Sequence, residues 1–322
     1  MADDARGRAV FGARLGRLAS GALALSLGCS ASAPPPATPR PERESGGDHA
    51  RAPDGRRGAA IYDRWWAALG IDFRPDNAAS ADVADGAGGP RGDGTLNGAG
   101  GKAMLNGGHD YRFKNLFGWD LRGADGVYGA QYLSKPHVLA TDLLSVDWSR
   151  QEMADRFTRG GAGVPAFGQV LDSDQIADVV AFVFDVREGR LPRPDQIWEL
   201  SPGTAGGYRL KSGANVERGR QLVGERCARC HGTDGRRFPI DDSHSLGSHT
   251  RQKAYEDWLK FIGGQPGTSM SSQLPEGQDG AAHAADILDI LAALCDRTAF
   301  PAGEPSAGDA ADGDVRCGAY LK

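Results

Sequence analysis

Apolar residues recur at helical spacing in short blocks, separated by polar and glycine-rich stretches. Ile61, Trp65 and Leu69 stand on one face of an amphipathic helix over 59–69 that Gly70 ends. Met153 and Phe157 mark a second helix over 149–159, and Ile176, Val179, Val180, Val183 and Phe184 a third over 173–186. Further on, Asn215 is placed to cap a helix through Val216, Leu222 and Val223. Tyr255, Trp258, Leu259 and Ile262 form the apolar stripe of 254–262, and Ile287, Leu288, Ile290, Leu291 and Leu294 that of 281–294. The pattern predicts an all-α chain with two sets of helices. Between the elements, 75–110 collapses into Gly, Ala, Asp and Asn and reads as an insertion with no core of its own, after which aromatic content returns over 111–128.

A length of 322 residues with 40% hydrophobic side chains is enough for two domains, each with a core. The connector over 191–213 carries three prolines together with Trp198 and Tyr208, which either line a seam between domains or pack on one of them. A net charge of −5, with no basic patch interleaved with aromatics, argues against nucleic acid as a partner. It is compatible with docking to a basic protein or with an ordinary solvated surface.

The first 33 residues read as an export signal, with Arg6, Arg8, Arg14 and Arg17 ahead of an apolar run too short for a permanent span. The run ends in Leu25-Ser26-Leu27-Gly28-Cys29, which resembles a bacterial lipobox with Ser26 where leucine is usual. Lipidation of Cys29 would make 34–58 a tether to a membrane, whereas a cut after Ala33 would release a soluble chain. Both routes imply a periplasmic or cell-envelope location. In such an oxidising compartment Cys295 and Cys317, separated by a Pro/Gly/Ala/Asp-rich tail (297–322), are expected to form a disulfide, with two unpaired thiols as the alternative.

The strongest chemical signal is Cys227-Ala228-Arg229-Cys230-His231. Its Cys-X-X-Cys-His spacing is that of covalent haem attachment, with two thiols for the vinyl groups and an imidazole for the iron. A disulfide, a redox dithiol or half of a zinc site would use the same cysteines, but zinc needs two more ligands at matching spacing.

Helix, haem motif, helix, loop and helix over 214–296 resemble the class I cytochromes c. The resemblance implies one haem c per chain and a methionine as sixth ligand, which the loop Gly263-Gly264-Gln265-Pro266-Gly267-Thr268-Ser269-Met270 supplies as Met270. Core filling is the alternative role for Met270. His244 and His249 read as solvated or turn residues and His283 as a surface residue. Arg236, Arg237 and Arg251 are either propionate partners or ordinary exposed arginines.

The likeness extends over 59–190 to tandem bacterial cytochromes, but with the haem residues replaced. In Phe113-Lys114-Asn115-Leu116-Phe117-Gly118-Trp119-Asp120, Phe113 and Leu116 stand at the cysteine positions and Phe117 at the histidine position. A gapless overlay of 159–167 on 262–270 sets Phe167 at the methionine position. The resemblance therefore implies a degenerate, haem-less first domain; an unrelated small helical domain is the other reading. His109 and His137 in this half read as solvated loop residues rather than metal ligands.

A six-coordinate His/Met iron leaves no position open for substrate, so the expectation is a single-electron carrier rather than an enzyme. Its partners would be a redox donor and acceptor, such as a membrane respiratory complex. A catalytic or gas-sensing haem with displaceable Met270, and an accessory haem subunit of a larger complex, are the alternatives.

Overall fold

The computed structural model describes residues 51–71, 95–97, 103–105, 112–135, 138–161, 163–240, 243–303 and 308–322. The export segment with Cys29, most of the tether, and His109 and His137 lie outside them. Eight α-helices dominate the described residues: α1 (Gly55–Ala68), α2 (Phe113–Phe117), α3 (Arg150–Arg159), α4 (Ser173–Arg187), α5 (Val216–Arg226), α6 (Ala228–His231), α7 (Leu246–Gly263) and α8 (Gly280–Leu294). The chain is mostly helical, with two small antiparallel ladders. One, β1 (Thr95–Asn97) with β2 (Ala103–Leu105), lies in the glycine-rich insertion; the other, β3 (Trp198–Leu200) with β4 (Tyr208–Leu210), lies in the connector.

The helix starts follow local capping chemistry. Asp54, Ser149, Asp172, Asn215, Ser245 and Asp279 each accept a backbone N–H of the first turn, which satisfies donors that the helix leaves unpaired.

Two helix crossings organise the packing, α1 on α4 and α5 on α8, and they are built alike. A Cβ on Gly58 would lie 1.9 Å from the Asp178 carbonyl oxygen, and one on Gly219 would lie 1.9 Å from that of Asp289. Only glycine lets the backbones meet this closely. The Asp54 amide donates to Asp178 (2.8 Å) and the Asn215 amide to Asp289 (2.7 Å), while Arg57 and Arg218 pair with the same two aspartates. The sequence thus contains one helix-pair design twice.

The two halves do not stand apart, because 49–322 forms one compact unit with a continuous core. The connector expected to be irregular is the β3–β4 hairpin, and its aromatics are the seam. Trp198 meets Trp258 of α7 at 6.0 Å between ring centroids, and Tyr208 meets Tyr255 at 5.5 Å. From the first half, Phe182 reaches Trp258 and Trp119 reaches Tyr255.

Helix α7 begins eight residues earlier than its apolar stripe, at Leu246 rather than Ala254. A break at Lys253 (φ −141°, ψ 40°) separates the two parts, and the Ala254 amide there donates to the Tyr208 hydroxyl (2.9 Å). A side chain inserted into the helix ladder is a sufficient cause of such a break. Cys295 and Cys317 form a disulfide, which ties the C-terminal tail to the end of α8. Among the described residues no helix is long and apolar enough to cross a membrane.

Candidate functional site

The motif sits on a single turn. Helix α5 ends at Arg226, Cys227 (φ −112°, ψ −36°) joins it to the next helix within the right-handed region, and α6 carries Cys230 and His231 to a stop at Gly232 (φ 83°, ψ 163°). Cys227 is half-buried and Cys230 exposed, and both thiols are free. His231 is half-buried, and its Nδ1 is buried without a hydrogen-bond partner. Beside the turn, Ala228, Gly232, Thr233, Asp234, Arg236 and Arg237 line an open surface depression of about 610 Å³, which Cys227, Cys230, His231 and Met270 do not line.

Burial pushes the Cys227 thiol up to about 11, against the pull of Arg226 and with the help of Asp257. A thiol kept protonated in this way is unlike the activated thiolate of a redox dithiol or a zinc ligand. No three His, Cys, Asp or Glu among the described residues are placed to hold a metal ion, so the zinc reading has no further ligands. Burial also lowers the basicity of His231, with Asp257 opposing. The imidazole is therefore held neutral, the form that ligates a metal. Two unpaired thiols and an imidazole with an unengaged nitrogen, all within one turn, are the residue set that a covalently attached haem would use.

Asp257 is the residue that sequence reasoning missed. It projects from α7, is fixed by His249 Nδ1 (2.9 Å) and Thr250 Oγ1 (2.7 Å), and is the charge felt by both Cys227 and His231. Only its place in a tertiary contact marks it.

Met270 lies half-buried in the loop after α7; its amide donates to Thr268 Oγ1 and its carbonyl accepts from the Gln265 amide. The histidines read as solvated are not. His244 and His249 are buried with their rings 6.3 Å apart, and His283 is 1% exposed. His249 finds cover because the polar stretch before residue 254 is the first part of α7 rather than loop, while His244 stands in a bridge with Ile240 just before it and His283 in the first turn of α8. Arg251 is fully buried, paired with Asp309 and donating to the carbonyls of Leu294 and Phe300, and is thus committed to the tail. Arg236 and Arg237 remain exposed beside the depression, Arg236 pairing with Asp234.

The first half repeats the frame of the site. Helix α2 ends at Phe117, and Gly118 (φ 77°, ψ 161°) follows it in the conformation of Gly232. Three residues after each glycine the backbone is left-handed, at Leu121 (φ 65°) and Gly235 (φ 75°), and those two carbonyls accept the amides of Leu143 and Leu246. Phe113, Leu116 and Phe117 thereby occupy the places of Cys227, Cys230 and His231.

All three are buried. Phe113 stacks on Phe167 at 3.7 Å between centroids, 14° from parallel, and both Phe113 and Phe117 meet Phe157. The loop overlay is out by one residue. The helix-ending glycines that match are Gly160 (φ 73°) and Gly264 (φ 74°), not Gly160 and Gly263, so the second loop reaches Met270 one residue sooner than the first reaches Phe167.

None of the protein families, curated proteins or solved structures compared with the chain matches it.

Proposed function

We propose that the chain is a monohaem c-type cytochrome of the cell envelope that passes single electrons between redox partners. One observation carries this reading. The Cys-X-X-Cys-His turn is capped by Gly232, and the same frame recurs in the first half with aromatic and aliphatic side chains at the three equivalent positions. Haem c, when bound, supplies an iron that cycles between two oxidation states. Cys227 and Cys230 would hold it covalently, and His231 and Met270 would be its iron ligands.

The first half is a class I cytochrome-like domain without haem, serving as scaffold or docking module. Its pocket is filled rather than lost. An empty cavity costs about 24 cal/mol per Å³, so a haem-sized void would consume a large part of a domain's stability of about 5–15 kcal/mol. Phe113, Phe117, Phe157 and Phe167 occupy such a space with close-packed rings.

The test is the ferrous absorption spectrum of the chain matured with haem, with and without carbon monoxide, together with the haem-to-chain ratio. One low-spin haem per chain, indifferent to carbon monoxide, is the expected result. A second covalent haem in residues 59–190 would overturn the haem-free first half. Ready uptake of carbon monoxide would overturn simple electron transfer in favour of catalysis or gas sensing.

A further inference from the structure

One face of α1 meets the ligand loop of the other half along its length. Just before the loop, Lys260 of α7 pairs with Asp63 of α1. At its start a Cβ on Gly263 would lie 2.6 Å from the Ala60 nitrogen, so two backbones touch there. Midway, Gly267 (φ 80°) faces Ala67, with 3.2 Å available to a Cβ. Beyond Met270, the Arg56 guanidinium donates to the carbonyls of Leu274 (2.9 Å) and Pro275 (3.2 Å). Arg56, Ala60 and Asp63 stand at helical spacing on α1, and Ala67 lies beyond the break at Arg64 (φ −154°, ψ 85°). The contacts therefore bracket Met270 on both sides.

A thioether is a neutral ligand with no charge to hold it to iron, and the loop that carries it is rich in glycine. Fixing one residue's backbone costs roughly 1–2 kcal/mol, more for glycine. A loop pinned at both ends meets much of that cost before the ligand binds. We propose that α1 is the clamp of this loop, with Arg56 and Asp63 as positioning residues that keep Met270 where it ligates. The inference rests on the reading of Met270 as the sixth ligand, and it assigns the haem-free half a task within the haem-bearing one.

The test uses the full-length, haem-loaded chain and Arg56→Ala. The far-red sulfur-to-iron charge-transfer band of the ferric protein is followed against pH, with carbon monoxide uptake by the ferrous protein and hydrogen exchange across 264–275. Loss of the charged donor should raise the methionine-off population about tenfold, a change of about 1.4 kcal/mol. The band should accordingly disappear at lower pH, and exchange in the loop should quicken. Arg56→Lys should restore part of the effect, because it keeps a donor. Arg150→Ala, which removes an exposed pair with Glu188, should change none of these readings.

Wild-type behaviour of Arg56→Ala in band, carbon monoxide uptake and exchange would overturn the clamp. If the wild type itself lacks the band, the assignment of Met270 fails. Exchange then decides the clamp alone, quickened in the variant if α1 holds the loop and unchanged if it does not.

Discussion

Two ammonium groups, Lys114 and Lys260, share the carboxylate of Asp63, which is 1% exposed, and the Lys114 nitrogen lies 3.7 Å from the Trp119 ring centre. Burial alone would raise the Asp63 pKa, but the two lysine charges reverse this and hold it below the ordinary carboxylate range. A carboxylate with a depressed folded-state pKa stabilises the fold above its unfolded value of about 3.9, and that stability is lost as pH falls through the folded value. Asp63→Asn should cost about 3–5 kcal/mol in denaturant unfolding at pH 7, because it strands a buried ammonium. It should also flatten the acid limb of the stability profile.

His283 titrates in a higher window. Burial first, and then Arg56 and Arg226, lower its pKa, against Asp286 and Asp279, and its Nδ1 has no hydrogen-bond partner. The neutral imidazole is the folded form, so its stability contribution is complete above the unfolded value of about 6.5 and fades as pH falls below it. In thermal unfolding, His283→Gln should lose less stability than the wild type between pH 7 and pH 5. An identical pH slope in the two proteins would count against this assignment.

At the scale of elements, the apolar stripes and caps located most helices to within a few residues, because both signals are local. Asn215 acts as the N-cap where the sequence places it, and Ser149, the first residue of the predicted second helix, caps that helix. The first part of α7 was not legible, since its polar side chains are satisfied from far along the chain. Arg251 pairs with Asp309, and the Ala254 amide needs the Tyr208 hydroxyl. The phase of the ligand loops was missed for a similar reason. Two adjacent glycines, Gly263 and Gly264, offer two possible helix ends, and only the backbone shows that the second is used.

The placement of Cys227, Cys230 and His231 on one turn was legible, because it depends only on their spacing. The helix crossings were not, although glycine at 58 and 219 is what makes them. A methyl group at either position meets a backbone carbonyl that no rotamer change can move. Gly58→Ala and Gly219→Ala should each cost about 1–3 kcal/mol or more by overpacking. Gly219→Ala should also disturb the α5–α6 turn, to be read in the yield of covalent haem attachment. Full stability in both variants would show that the helices can part at no cost.

For the molecule as a whole, the plan of two helical halves was readable from repeated stripes, but their union was not, because it is made by side chains whose sequence context is unremarkable. Trp258 is covered by Phe182 from the first half and by Trp198 from the hairpin, and its indole N–H donates to the Pro192 carbonyl (3.1 Å). Tyr255 is covered by Trp119, Tyr128 and Tyr208. Parting the halves would return these rings to water at about 1.5–3 kcal/mol for each large apolar side chain, and would break the Lys260–Asp63 pair as well. The sum is comparable to the total stability of about 5–15 kcal/mol usual for a domain, so a state with one half folded and the other unfolded has little to hold it. Denaturant unfolding of residues 51–322 should therefore be a single transition, with far-ultraviolet circular dichroism and tryptophan fluorescence coinciding. Segments 51–190 and 191–322, produced separately, should fail to fold cooperatively. Two resolved transitions, or a stable isolated second half, would mean that the aromatic seam is an interface between independent domains rather than part of one core.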